Sequence, residues 1–327
     1  MPVENESLVL IQPPPQERLS GWLEEFYGKP VQIVKRQLLR HRDLSLVERL
    51  WLDNALPESL IYKVVLPPWD IEQELHERVL IPSISNSAQL FMSAHFGHQT
   101  AMFLEDLGTQ ALLNLNVTGE FAAQVGRTIA RMHRAYSYRI DELMHLNVLR
   151  ALLPLDYETF AAGVAERLRG WNLISQEEEK GLVALATLLA QQLAGEPISL
   201  VHGDLYAENL LVRGGKLFVI DWSWFTHVGV STMDLASLVS DHFKNGNFAK
   251  WRGIVLEAYC EELDGRDPAD ARRVLPYAET LSRLMFLNWL VERRGRGIMG
   301  TTVGPVDELI PKVVAELAAR RSDLSAA

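Results

Sequence analysis

The run His202-Gly203-Asp204-Leu205-Tyr206-Ala207-Glu208-Asn209, continued by Leu210-Leu211-Val212 and then by Leu217-Phe218-Val219-Ile220-Asp221-Trp222, decides how this chain is read. Gly214-Gly215 separates the two apolar stretches, and a glycine pair suits the positive φ angles of a two-residue hairpin turn. With that turn fixed, Arg213 faces Lys216, and the pairing runs back until Asn209 faces Ile220 and Glu208 faces Asp221. Asn209 and Asp221 are therefore expected at one end of a single hairpin. An amide oxygen and a carboxylate placed there suit Mg²⁺, a hard cation that takes oxygen ligands and keeps other positions for water and phosphate. Asp204, on the loop that enters the hairpin, is placed to reach a hydroxyl group.

The rest of the chain is compatible with a site of that kind and excludes several others. Its 327 residues, 48% hydrophobic and 23% charged, fit one large domain or two lobes with a sizeable core. A formal net charge of −10 argues against a nucleic-acid partner, which calls for a basic surface. No apolar run approaches the roughly 18 residues of a membrane-spanning helix. The start Met1-Pro2-Val3-Glu4-Asn5-Glu6 lacks the basic and apolar regions of a signal peptide. The lone cysteine, Cys260, forms no intramolecular disulfide and lies in an apolar helical stretch beside Glu261 and Glu262, so a cytoplasmic setting and an inert thiol are expected. The pair His95 and His98 is the nearest thing to a transition-metal motif, and no cysteine or HExxH pattern accompanies it.

The two halves of the chain differ in period. Pro13-Pro14-Pro15 closes a stiff leader over residues 1–15, and Leu19, Trp22, Leu23 and Phe26 have helical spacing up to Gly28. Strands are expected at 31–39, 45–52 and 59–66, a helix at 70–80, and two more strands at 89–94 and 100–104. Beyond Gly108 a 3.6-residue period dominates, at about 119–136, 157–169, 176–193, 247–262, 268–293 and 306–320. The fold class is α+β, with an antiparallel β-rich part over 1–106 and a helical part over 107–327.

The pattern His-Gly-Asp, four residues, Asn, then Ile-Asp-Trp resembles the aminoglycoside phosphotransferase and choline kinase superfamily. That resemblance implies a two-lobed protein-kinase-like fold with a small antiparallel β-sheet N-lobe and a larger, mostly helical C-lobe. It implies an ATP- and Mg²⁺-dependent small-molecule kinase, with Asp204 as catalytic base, Asn209 and Asp221 as metal ligands, and Asp234 in Met233-Asp234-Leu235-Ala236 as the brace of the catalytic loop. Lys63, mid-strand in Leu60-Ile61-Tyr62-Lys63-Val64-Val65, matches the family's phosphate-binding lysine. Its carboxylate partner is expected in Asp70-Ile71-Glu72-Gln73-Glu74-Leu75: helical geometry favours Glu72, which lies nearer the stripe of Ile71, Leu75 and Val79, while the family's spacing selects Glu74. Leu104, Glu105, Asp106 and Leu107 resemble the hinge whose main chain meets adenine. His133, in Arg131-Met132-His133-Arg134, is read as structural.

Three positions depart from the family. No glycine occurs between Gly28 and Gly97, so the turn Arg40-His41-Arg42-Asp43-Leu44-Ser45 replaces a glycine-rich phosphate loop, with Ser45 as its candidate phosphate contact and its basic residues read as an exposed hairpin tip. Glu208 stands before Asn209 where glycine is frequent, and either faces substrate or repels a triphosphate, the latter favouring a nucleotide-binding pseudokinase or regulatory protein. Ser223 follows Asp221-Trp222 where glutamate is common.

The expected partner is a small polar molecule offering a hydroxyl. Glu208, Asp241, Glu261 and Glu262 are candidates to meet the ammonium groups of an aminoglycoside-like acceptor. Choline, homoserine and sugar derivatives are the alternatives, with Trp222, Trp224, Phe225, Trp251 and Trp289 as a candidate aromatic cage for a quaternary amine.

Overall fold

A computed structural model describes residues 11–326 apart from 12, 43, 264 and 302. Most of the expected leader over 1–15, and Asp43 of the turn that begins at Arg40, lie outside the described residues. The chain divides into two compact units. One runs to Thr109 and takes in Phe218–Trp224; the other comprises Gln110–Leu217 and the chain from Phe225 onward.

In the first unit, α1 (Gln16–Tyr27) ends on Gly28 at φ 64°, a left-handed cap that glycine adopts without steric cost. Five strands follow: β1 (Gln32–Arg42), β2 (Ser45–Asp53), β3 (Ser59–Val65), β4 (Leu90–Phe96) and β5 (Gln99–Glu105). They form one sheet in the order β1-β2-β3-β5-β4, antiparallel throughout. Strand alternation sends Leu60, Tyr62 and Val64 to the face covered by Leu19 and Leu23 of α1, with Leu46, Leu50 and Phe103 beside them. Lys63 points the other way, toward α2 (Ile71–Arg78), which precedes the single turn α3 (Pro82–Ser85). The returning segment Phe218–Trp224 joins this unit beside α3: Val219 N–H donates to Asn86 O, and Val219 bridges Ser87.

The second unit is helical, as its period predicts. It contains α4 (Gly119–Ser137), α5 (Ile140–His145), α6 (Tyr157–Gly170), α7 (Gln176–Leu193), α8 (Thr232–Val239), α9 (Arg252–Glu262), α10 (Pro268–Gly295) and α11 (Val306–Ala326). Ser175 and Glu178 form a reciprocal capping box that starts α7. Its core joins Leu182, Leu185 and Leu189 of α7 to Leu281, Leu284 and Leu287 of α10 and to Ile310, Val313 and Leu317 of α11.

Two features were not foreseen in the sequence. The strands β6 (Arg150–Leu152), β7 (Ile198–Val201) and β10 (His227–Val230) form a three-stranded sheet in the order β6-β10-β7; segments of three or four residues are too short to show a period of two. The helix expected over 247–262 is broken, because Phe243–Trp251 forms tight 3-10 turns interrupted at Gly246, φ 49° and ψ −132°, before α9 begins. The hairpin of β8 (Leu210–Arg213) and β9 (Lys216–Val219) forms as expected, with Gly214 and Gly215 at φ 57° and 74°.

Candidate active site

The first unit carries a buried lysine with two carboxylates. β3 lies in the middle of the sheet, with Lys63 opposite Val47 on β2 and Met102 on β5, so its long side chain is packed rather than extended from an edge. Lys63 is 6% exposed. Its Nζ lies 2.7 Å from Oδ1 of Asp221 and 2.5 Å from Oε2 of Glu72. Arg40 Nη1 approaches the other oxygen of Asp221 at 3.0 Å. Burial works to raise the Asp221 carboxyl, but Lys63 and Arg40 outweigh it and hold the group well below the usual carboxylate range. Glu72 responds in the opposite sense: burial pushes it up to about 7, with Lys63 lowering it and Asp221 raising it. Asp221 thus holds its charge more firmly than Glu72. Its backbone is left-handed, φ 65°, a conformation an aspartate adopts more readily than most residues.

The family spacing's choice of Glu74 as the partner of Lys63 is corrected here. Glu72 shares the buried face of α2 with Leu75, three residues on, whereas the Glu74 side chain is 54% exposed and pairs with Arg78 at i,i+4. The helix phase, set by Leu75 and Val79, turns Glu72 inward and Glu74 to solvent. The expected exposed tip is corrected in part: Arg40 is engaged on Asp221, while Arg42 is exposed. Ser45 opens β2, paired with Arg42 and Val65.

Leu104 and Glu105 end β5 opposite Ile61 and Leu60, and Leu107 is buried. The Asp106 carboxylate accepts from Arg49 at 2.7–2.8 Å, from Ser59 Oγ at 2.8 Å and from Gly108 N–H at 2.9 Å, so this side chain shapes its own loop.

The second unit carries the loop from His202 to Asn209. Asp234, at the start of α8, is fully buried and accepts the backbone N–H of His202 at 2.7 Å and of Gly203 at 2.9 Å. His133 on α4 reaches the same carboxylate through Nε2 at 3.2 Å and the Tyr259 hydroxyl through Nδ1 at 2.8 Å. Burial favours a protonated Asp234, yet these hydrogen bonds and the neighbouring histidines hold its carboxyl low. Gly203 is required at its position: φ is 80°, and a Cβ would lie 2.5 Å from Phe225 O.

The braced loop then presents Asp204. Asn209, buried at the end of a short 3-10 turn, donates its amide Nδ2 to Asp204 O at 2.8 Å and to Asp204 Oδ2 at 3.1 Å. These bonds fix which end of the amide is which and direct its oxygen elsewhere. Taken one at a time, both residues offer what a hard cation takes: Asn209 an amide oxygen oriented by its own N–H bonds, and Asp221 a carboxylate held ionised.

One residue of this site was missed in the sequence. Lys244 places Nζ 3.0 and 3.1 Å from the two oxygens of Asp204 and 2.9 Å from Oε1 of Glu208. It lies in the irregular Phe243–Trp251 segment, where no period or motif marks it. Glu208, expected to face substrate or repel phosphate, instead has a cation of its own.

A sheet unit with a buried lysine, and a helical unit with a braced His-Gly-Asp loop, define the protein-kinase-like fold used by small-molecule phosphotransferases. A family model described as the phosphotransferase enzyme family matches residues 82–272, and the chain belongs to that family. Among solved structures, the chain is similar to the gentamicin complex of the aminoglycoside phosphotransferase APH(2″)-IIa, with a TM-score of 0.64, 15% identity, and coverage of 95% of this chain and 99% of that one. It is also similar to ethanolamine kinase of Plasmodium vivax (TM-score 0.58, 12% identity, covering 90% and 82%). Choline kinase of Cryptosporidium parvum is a third (TM-score 0.58, 12% identity, 89% of each chain). At these identities the likeness is one of fold. No curated protein sequence matches the chain.

Proposed function

We propose that this phosphotransferase moves the γ-phosphoryl group of ATP, with Mg²⁺, to a hydroxyl of a small polar molecule. The observation that carries this reading is the Asp204 carboxylate, held on a loop whose two preceding backbone N–H groups are locked onto Asp234. In this reading Asp204 orients the acceptor hydroxyl and takes its proton as the oxygen–phosphorus bond forms and the bond to ADP breaks. Lys63, pinned by Glu72, meets the nucleotide phosphates. Asn209 and Asp221 would hold Mg²⁺, which when bound neutralises charge on the phosphates.

The sheet unit is then the nucleotide-binding part, with the main chain of Leu104 to Leu107 against adenine and Ser45 near phosphate, and the helical unit takes the acceptor. Solution of a similar phosphotransferase with bound ADP supports the choice of nucleotide. A cytoplasmic setting, where ATP and Mg²⁺ are both abundant, belongs to the same reading.

The acceptor's charge is less well served by the residues first considered. The acidic side chains that favour an aminoglycoside-like acceptor each have a basic neighbour in the chain: Glu208 with Lys244 and Glu262 with Arg131 and Arg134, and, at the exposed surface, Asp241 with Arg252 and Glu261 with Arg127. The candidate cage for choline is also weakened, since Trp222 is fully buried and Trp289 stacks on Phe286. The ion pair on Glu208 counts against a pseudokinase, because it removes the repulsion that would disfavour a triphosphate. ADP release and product mass, measured with ATP and Mg²⁺ across aminoglycosides, choline, homoserine and sugars, test the reading. It expects one phosphorylated acceptor, and it fails if ATP binds yet no acceptor is ever phosphorylated.

A further inference from the structure

The arrangement around Lys244 is a complete ammonium site already filled by the protein. An ammonium has three N–H donors, and here three carboxylate oxygens, two from Asp204 and one from Glu208, lie within 2.9–3.1 Å of the nitrogen. The Tyr206 ring closes a further side, its centroid 5.0 Å from Nζ, and is itself packed against His242 at 4.7 Å. An aromatic face beside a cation adds to the attraction. Burial alone would lower the lysine's pKa, but the two carboxylates outweigh it and keep the group charged.

The placement is built, not the sweep of a loose surface side chain. The neighbouring Asn245 is fully buried and accepts from Ala207 N–H at 2.9 Å, while its Nδ2 donates to Ser237 O and Ser240 O, both at 2.9 Å. Asn245 therefore ties the segment carrying Lys244 to the turn that carries Glu208 and Asn209, and to the end of α8. Gly246, whose Cβ would lie 2.8 Å from Leu113 O, permits the bend that follows.

Resting on the phosphotransfer reading, we propose that Lys244 is a specificity-determining residue: it stands where an acceptor's ammonium would pair with Asp204 and Glu208, and so selects acceptors with no cationic group beside the reacting hydroxyl. With Lys244 in place the pair of carboxylates carries one net negative charge instead of two. A cationic acceptor must displace a lysine that is only 24% exposed, whereas an uncharged or acidic hydroxyl compound approaches Asp204 beside a positive charge.

The test uses the full-length chain and kanamycin as a polycationic probe, titrated calorimetrically into the wild type, Lys244→Met, Lys244→Gln, Lys244→Arg and the double variant Lys244→Met with Glu208→Gln. The neutral variants should bind kanamycin at least tenfold more tightly than the wild type. Lys244→Arg should stay at the wild-type level, and the second change at Glu208 should reverse most of the gain. In parallel, the wild type should phosphorylate uncharged polyols in preference to kanamycin, and Lys244→Met should shift that ranking through KM. Unchanged kanamycin affinity in the folded neutral variants, or a wild type that already prefers the polycation, overturns the proposal. The binding arm is independent of turnover, so a failure of phosphotransfer itself shows separately, as no phosphorylated product from any acceptor.

Discussion

The ammonium of Lys63 lies 2.7 Å from Oδ1 of Asp221, a residue 158 positions further along the chain. Glu72 shares the same ammonium at 2.5 Å, so one cation holds together a buried carboxylate and a partly exposed one. Removing the cation strands Glu72 and leaves Asp221 with Arg40 alone. Lys63→Met is expected to destabilise the fold by about 3–5 kcal/mol, the range for breaking a buried ion pair, as read from urea unfolding midpoints.

Glu72→Gln and Glu74→Gln should separate cleanly in kinetics. Loss of a charge-assisted hydrogen bond worth about 1.5–3 kcal/mol corresponds to roughly 10- to 100-fold in kcat/KM for ATP. Glu72→Gln should show a loss of that order. Glu74→Gln, whose side chain faces solvent beside Arg78, should stay within about twofold of wild type, because an exposed i,i+4 pair contributes only a few tenths of a kcal/mol. Equal losses in the two variants would contradict the pairing.

Asp234→Asn places an amide N–H₂ against backbone donors that now meet a carboxylate, so it should cost stability and slow turnover together. Asp234 has its carboxyl below the ordinary 3.8. A depressed carboxyl stabilises the fold above its unfolded pKa and loses that contribution as pH falls through the lower folded value. The stability gap between wild type and Asp234→Asn is therefore expected to be constant above about pH 5 and to narrow below about pH 4. Urea unfolding from pH 3 to 7 measures it.

His227 should add an acid sensitivity of the same sign but at higher pH. It is fully buried, its Nδ1 donates to Phe225 O at 2.8 Å, and burial pulls its pKa from 6.5 to about 4. Between those values the unfolded chain takes up a proton that the folded chain refuses, so each pH unit removes up to about 1.4 kcal/mol. His227→Gln should flatten stability between pH 6.5 and 4 relative to wild type; an unchanged slope would sink the assignment.

Gly126 sets how closely α4 and α9 approach. A Cβ there would lie 2.4 Å from Val255 O and 3.1 Å from Tyr259 N, both backbone atoms that have little room to yield. Gly126→Ala is expected to destabilise by about 1–3 kcal/mol despite alanine's better helix propensity, with a lowered melting temperature as the readout.

What was legible in the sequence was what lies close together along the chain. Asp204, Asn209 and the glycine turn fall within one short segment, and a hairpin's register follows from its turn. Lys63 was legible through the family resemblance and the acidic helix that follows it, since a lysine in an apolar strand alone can equally snorkel from a sheet edge. The choice between Glu72 and Glu74 was not, since both sit in the first turn of one helix and only its docking decides which faces inward. Lys244 was hidden for a different reason: it meets Asp204 across 40 residues of chain, through a turn whose path depends on Asn245 and Gly246. The sheet of β6, β10 and β7 escaped notice because its strands are shorter than the pattern that reveals strands.

In the proposed transfer from ATP, Asp204 acts on the acceptor hydroxyl. The most direct measurement compares wild type with Asp204→Asn, following ADP release and the mass of the phosphorylated acceptor alongside nucleotide affinity. Expected are phosphorylated product from wild type, a fall of at least about 10²-fold in kcat for Asp204→Asn, the lower end of what a positioned general base contributes, and ATP affinity within about twofold, since in the proposed roles the substituted group does not hold the nucleotide. Turnover retained in Asp204→Asn, with the same product, would contradict it.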